Sequence, residues 1–218
     1  MSRPPLSPER VVDAASRVAD AAGLGGVSMR SVGRELGVEA MSLYHHVASK
    51  DALLDGLADW VFTRIDTPST GGPWRAQMEA RARSARTVLA AHPWGLGLIE
   101  SRRSPGPATL RHHDAVIGCL RAADFSVALA AHAFSVLDAY VYGFVLTEVN
   151  LPFQPGEAAE DFVEGLDLVM AEHPHLAEMV AEQIVGRDYA YGDEFDYGLT
   201  LVLDGLEQRV AADLRGRS

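Results

Sequence analysis

The sequence predicts an all-α chain in which a small N-terminal three-helix bundle, built round a helix-turn-helix, precedes a larger helical domain. Three observations carry this reading. Apolar residues recur every three or four positions through most of the chain. No segment sustains the apolar–polar alternation of a strand. Proline and glycine gather at a few boundaries, and the richest tract, Thr67-Pro68-Ser69-Thr70-Gly71-Gly72, divides the chain into residues 1–66 and 67–218. With 218 residues, 48% of them hydrophobic, both parts can bury a core.

Ser7-Pro8-Glu9 starts the first helix: serine caps, proline fits the first turn, and an acid sits near the positive end. Val11, Ala15, Val18 and Ala22 give it an apolar stripe, and Gly23, Gly25 and Gly26 end it at about Ala22. Ser28 caps a second helix with Val32 and Leu36 on one face, and Gly37 supplies the sharp turn. Val38, Leu43 and Val47 anchor one side of a third helix about two turns long. With Leu43 inward, Met41 and His45 point outward, flanked by Ser42 and Tyr44; such a face suits a DNA groove. The bland alternative is a helical hairpin with a solvated outer face.

Ser49 opens a fourth helix, running to about Asp66, with Leu53, Leu54, Leu57, Val61 and Ile65 as its stripe. Beyond the linker, helices are expected near 73–91, 94–100, 106–123, 126–150, 157–171, 174–187 and 192–214, separated by His92-Pro93, Ser104-Pro105-Gly106-Pro107, Leu151-Pro152 and His173-Pro174. The 126–150 helix is apolar round most of its circumference. Phe195, Leu199, Val202, Leu206 and Val210 form a long stripe on the last helix, more apolar surface than a single chain is expected to hide.

Charge narrows the class of partner. The net charge of −11 argues against indiscriminate nucleic-acid binding. Residues 1–50, however, hold six basic and five acidic groups, net +1, and the remaining chain carries −12. A near-neutral reading head on an acidic body fits specific two-site engagement. No secretory leader is apparent, the most apolar run, Val136 to Val149, is broken by Asp138 and Glu148, and the single Cys119 suits a cytoplasmic protein as a buried thiol. No membrane partner is expected.

The segments SPERVVDAASRVADAAGLGGVSMRSVGRELGV and SLYHHVASKDALLDGLADWVF resemble the DNA-binding domain of the TetR family of repressors. The most specific features are Gly37-Val38 followed by Tyr44, the His46–Lys50 spacing, and Lys50 with Leu53 and Leu54. VLAAHPWGLGLI, FSVALAAHAFSVLDAYVYGFVLTE and FDYGLTLVLDGLEQRV resemble the C-terminal domain of the tetracycline-repressor subgroup. The resemblance implies a homodimer on a pseudo-palindromic double-stranded operator, released by a small-molecule effector of apolar or aromatic character. It places Ser28, Tyr44, His46 and Lys50 at phosphates, Arg30, Met41, Ser42 and His45 near base edges, and Phe195, Leu199, Val202, Leu206 and Val210 in the dimer bundle. Ala40 and Met41 are apolar where relatives often carry a larger polar group and proline, which favours contact with thymine methyl groups.

Catalysis finds no support in the spacing of the eight histidines. His112 and His113 are adjacent and point about 100° apart on a helix, outside the usual i, i+4 chelate. No phosphate loop, nucleophile elbow or paired-cysteine motif occurs. Tetracycline-binding relatives use a histidine on the sixth helix, but this chain has Ile99-Glu100 there, so neither magnesium nor tetracycline carries over, and no metal or other cofactor is expected. His92, Trp94, Glu100, Arg103, His113, Phe134, Tyr140 and Phe144 are the candidate effector lining, each with an alternative place in core or surface. A helical small-molecule carrier without DNA function is the competing reading.

Overall fold

A computed structural model of the chain describes residues 5–151, 172–185, 187 and 189–217. Among these, every regular element is helical. α1 (Pro8–Gly26) begins as expected, with the Ser7 hydroxyl accepting the Arg10 N–H, but it runs past Ala22 through a kink at Gly23. Its inward face is Val11, Ala14, Ala15 and Ala19, and Ala22 lies outside. α2 (Met29–Leu36) and α3 (Ala40–Leu43) meet at Gly37, whose left-handed backbone (φ 63°) requires a residue without Cβ strain. α3 is a single turn rather than two, and a further hydrogen-bonded turn carries the chain to Val47. Two of the three anchors, Leu43 and Val47, are buried with Val11, Ala15, Val32 and Leu53, and Val38 is half-buried against the same core.

α4 (Lys50–Phe62) ends earlier than the apolar pattern suggested, although Ile65 beyond it remains buried. Leu53, Leu57, Val61 and Phe62 occupy both the N-terminal bundle and the larger domain, so the two parts share one continuous core. α5 (Trp74–Ala91), α6 (Trp94–Ile99), α7 (Pro107–Ala122) and α8 (Val127–Glu148) fall within two residues of the sequence expectation. α9 (Pro174–Gln183) is shorter than expected, and α10 (Glu194–Arg217) follows a 3-10 turn at Tyr191–Asp193. The helix expected at 157–171 lies outside the described residues.

α8 is long and apolar enough, at a mean hydropathy of 1.5, to match a membrane span by length and composition, more so than the sequence reading allowed. Its packing explains the composition differently. Ala130, Ala133, Leu137, Val141 and Val145 are buried among neighbouring helices, and Asp138 is paired with Arg81 of α5. One face of α8 thus packs into the core around an internal ion pair, while Val127, Val136 and Leu146 stay exposed on the other.

The dimer stripe on α10 requires correction. Phe195, Leu199, Leu206 and Val210 are buried within their own chain, and Val202 is half-buried against the same core. Arg75 of α5 holds this orientation through Asp204 (2.6 Å) and Glu207 (3.1 Å), Arg83 reaches Asp196 (3.0 Å), and the Tyr140 hydroxyl donates to the Phe195 carbonyl (2.8 Å). Among the large apolar residues left exposed are Tyr197, Leu201 and Leu214 on α10, with Val127, Val136 and Leu146 on α8.

Candidate nucleic-acid interface and effector site

The reading head is assembled from three helix starts. At α2 the Ser28 hydroxyl accepts the Ser31 N–H (3.1 Å) while the Ser31 hydroxyl accepts the Ser28 N–H (2.9 Å), a reciprocal cap that satisfies two end donors. Ser28 is therefore half-buried and committed to the helix start, whereas Arg30 two residues on is exposed. At α3 no side chain caps the helix. Met41 is 72% exposed and Tyr44 46%, His45 is exposed, and Ala40, Ser42 and His46 are half-buried. At α4 the Ser49 hydroxyl accepts the Ala52 N–H (3.1 Å), leaving Lys50 exposed in the first turn. Leu43 and Val47 underneath fix the angle at which these groups stand.

Among the described residues the candidate effector side chains fall into separate groups. His92 and Trp94 both hold Asp20 of α1: His92 Nδ1 lies 2.7 Å from its carboxylate and the Trp94 indole N–H donates at 2.6 Å. Tyr140 and Phe144 pack α8 onto the last helix, with Phe144 stacked on Tyr191 at 4.8 Å and edge-on to Phe195 at 5.0 Å. Beside them Arg86 makes a two-point pair with Glu148 (2.5 and 3.0 Å), and that hydrogen bonding raises the guanidinium pKa. Glu100 and Arg103 are exposed near the α6–α7 connection. Among the described residues, His113 and Phe134 line a common cleft, about 440 Å³, with Leu110, Asp114, Ile117, Ala131 and Ser135.

Sequence reasoning missed the polar centre of the larger domain. Arg81, 2% exposed, donates from Nε to His112 Nε2 (3.0 Å) and from Nη2 to Asp138 (2.5 Å). Burial, and next the Arg81 charge, push the His112 pKa down to about 3, so the ring is neutral. Burial likewise lowers the His113 pKa, and burial beside Asp138 raises that of the Tyr142 phenol. Phe62, the last residue of α4, packs against both imidazoles, 5.4 Å from His112 and 5.1 Å from His113.

Also missed were the ties between α4 and the larger domain. The Asp59 carboxylate caps α7, accepting the N–H groups of Ala108 (3.1 Å) and Thr109 (2.7 Å) and the Thr109 hydroxyl (3.0 Å). Gly106 permits the approach, since a Cβ there would run into that carboxylate. Arg102 grips Asp55 at 2.5 Å. A preceding Ser-Pro-Gly-Pro run signalled the start of α7 but not an acid 49 residues away as its cap.

A helix-turn-helix head joined through a shared helix to a larger helical domain with a polar centre defines a ligand-responsive DNA-binding regulator. Residues 11–57 match bacterial regulatory proteins of the tetR family, and residues 67–210 match the tetracyclin repressor-like C-terminal domain; the chain belongs to the TetR family. It is 35% identical to the HTH-type transcriptional repressor DrrR1 of Streptomyces coeruleorubidus, over 99% of this chain and 82% of that one. It is 30% identical to the class A tetracycline repressor of transposon 1721 from Escherichia coli, over 94% and 92%. Among solved structures, apo ActR of Streptomyces coelicolor superposes with a TM-score of 0.78 at 26% identity, covering 97% of this chain and all of that one. ActR in complex with actinorhodin gives 0.75 at 27%, over 95% and 99%.

Proposed function

We propose that two copies of this chain bind a pseudo-palindromic operator and leave it when a small molecule occupies the larger domain. The chain is a DNA-binding transcriptional repressor of the TetR type. The observation that carries the residue assignment is the exposed set Arg30, Met41, Tyr44, His45 and Lys50 held over buried Leu43 and Val47. Lys50 and Tyr44 serve phosphates, with His46 and Ser28 beside them. Arg30 reads a base edge, guanine being its commonest partner, and Ala40, Met41, Ser42 and His45 approach the bases. One short recognition turn offers few contacts, so specificity comes from two heads set roughly 34–36 Å apart on the duplex.

The dimer is built from the face that the monomer leaves uncovered, Val136 and Leu146 of α8 with Tyr197 and Leu201 of α10. Residues 1–66 act as the head and 67–218 as sensor and dimer domain, with α4 as the lever between them. Asp59, Asp55 and Phe62 join that lever to α7, to Arg102 and to the His112–His113 pair, so a ligand between α4 and α7 changes the angle of the head. ActR, bound to actinorhodin in its solved complex, supports an aromatic effector for this chain. The role assigned is regulation rather than catalysis, in the cytoplasm where an operator is met.

Selection of bound sequences from random DNA by the purified full chain, at modest salt and without ligand, tests the reading. Enrichment of a palindrome is expected. Absence of enrichment would leave a helical small-molecule carrier as the better account.

A further inference from the structure

A cleft of about 290 Å³ lies between α1 and α4, in the head rather than in the larger domain. Pro8 and Val12 of α1, with Gly56 and Trp60 of α4, give it apolar walls. The two helices touch at Gly56, where a Cβ would stand 2.8 Å from a Val12 methyl carbon. Asp13 of α1 accepts the Trp60 indole N–H at 2.6 Å, which fixes the ring. Arg64, just beyond α4, lays its guanidinium carbon 3.2 Å from the centre of that ring, with Nη2 3.4 Å from the same Asp13 carboxylate. A planar cation on an indole face beside a carboxylate is a recognition arrangement, filled here from within the chain. Its occupant is loosely held. The Asp13 contact is long, the other Arg64 hydrogen bonds go to its own turn, at the Trp60 carbonyl (3.2 Å) and the Thr63 hydroxyl (3.0 Å), and burial against the ring lowers the guanidinium pKa despite Asp13. Negative charge is in excess, since Glu9 and Asp13 face the single Arg64, and Asp59 on the opposite wall is already spent on the start of α7.

We propose that this cleft is a second small-molecule site, for a flat organic cation whose amidinium or guanidinium group takes the place of Arg64 on Trp60 and pairs with Asp13 while its apolar body lies against Pro8 and Val12. The inference goes beyond the repressor reading, because the site stands apart from the larger domain and binding there needs no operator. Each feature selects the ligand in its own way. The volume is at the lower end of small-molecule sites, which suits one or two rings. An anion is repelled by Glu9 and Asp13, and a neutral compound of the same shape stacks on the indole but leaves the carboxylate without a cation. A planar fork of N–H donors matches a carboxylate and an aromatic face together, as a compact ammonium does not.

Titration of the full-length protein with naphthalene-2-carboxamidine and with naphthalene-2-carboxamide, the same shape with and without the charge, tests it. The amidine should bind about tenfold tighter or better. In protein labelled with nitrogen-15 tryptophan it should move the Trp60 indole N–H signal, assigned by its loss in Trp60→Phe, and leave in place that of Trp74, which packs on Phe125. Arg64→Ala clears the indole face and should tighten amidine binding by about threefold or more, the opposite of what a residue that merely supports the cleft would do. Asp13→Asn keeps an acceptor for the indole N–H but removes the charge, and should bring the two probes within about twofold of one another. Equal affinities in the wild type, binding of neither probe, or a Trp60 signal that the amidine does not move each overturns the inference. So does amidine binding that Asp13→Asn leaves unchanged, as for entry into the larger domain, or that Arg64→Ala weakens or leaves unchanged. Should Asp13→Asn fail to fold, the wild-type probe pair and Arg64→Ala still decide. Failure of the wild type to bind any operator would sink the repressor reading and leave these results standing.

Discussion

Leu201→Glu and Leu206→Glu lie five residues apart on α10 and should fail in different ways. Leu206 is 7% exposed in its own chain, and a carboxylate there loses its water without gaining a partner, at several kcal/mol. Set against a typical total stability of about 5–15 kcal/mol, that melts or collapses the larger domain. Leu201 is 57% exposed, so the same change should leave the helix content of the chain intact. In a two-fold interface it occurs twice, however, and each leucine buried against a partner is worth about 1.5–3 kcal/mol. The dimer then loses about 3–6 kcal/mol, a weakening of roughly a hundredfold to ten-thousandfold or more. Sedimentation velocity at micromolar concentration, circular dichroism and operator gel shifts read the two outcomes. Leu201→Glu should be folded, monomeric and weak on a full palindrome, and Leu206→Glu should be poorly folded. A Leu201→Glu protein that remained dimeric, or a Leu206→Glu protein that was well folded but monomeric, would refute the assignment of the outer face.

Lys50→Ala should lower affinity for all sequences and reduce the salt slope by about one unit, whereas Arg30→Ala should relax preference at one base position by about 1–3 kcal/mol; equal effects on specific and random DNA would make Arg30 a backbone contact. Asp59→Ala strands two N–H donors at the start of α7 and should cost about 2 kcal/mol in a denaturant melt while blunting the operator response to ligand; an unchanged response would remove this carboxylate from the coupling route. The depressed His112 pKa makes stability pH-dependent: its contribution is complete above the unfolded value of 6.5 and is lost as pH falls from there towards about 3, because only the unfolded chain takes up the proton. Unfolding free energy should drop by about 2 kcal/mol between neutral pH and pH 5 through this group, and His112→Phe should remove that part of the slope; an identical slope in the variant would contradict the neutral buried ring.

The reading head was legible because its determinants are local. Ser28, Gly37, Leu43, Val47 and Ser49 span little more than 20 residues, and cap, turn and anchor positions follow from helical spacing alone. The dimer face was misread for a physical reason. An apolar stripe records that it is buried, not what buries it, and Phe195, Leu199, Leu206 and Val210 are covered by the chain's own core. Tyr197 and Leu201, the outward pair, lie off the stripe that helical spacing selects. The polar centre was illegible because Arg81, His112 and Asp138 lie 31 and 57 residues apart and each alone reads as a surface group. Likewise His92 and Trp94, read as effector lining, turned out to clasp an acid 72 and 74 residues upstream.

Those long-range contacts bear on how little a ligand must do. A hundredfold change in operator affinity requires a differential of about 2.7 kcal/mol between binding-competent and incompetent dimers. The head is tied to the sensor through Asp20 to His92 and Trp94, Asp55 to Arg102, and Asp59 to the start of α7. A hydrogen bond to a charged group contributes about 1.5–3 kcal/mol net. Loosening one of these ties in each protomer is therefore sufficient in magnitude. Because Phe62 sits one turn beyond Asp59 on α4, a ligand pressing on that ring acts within a single helical turn of the tie it must disturb, and no longer conduit through the domain is needed.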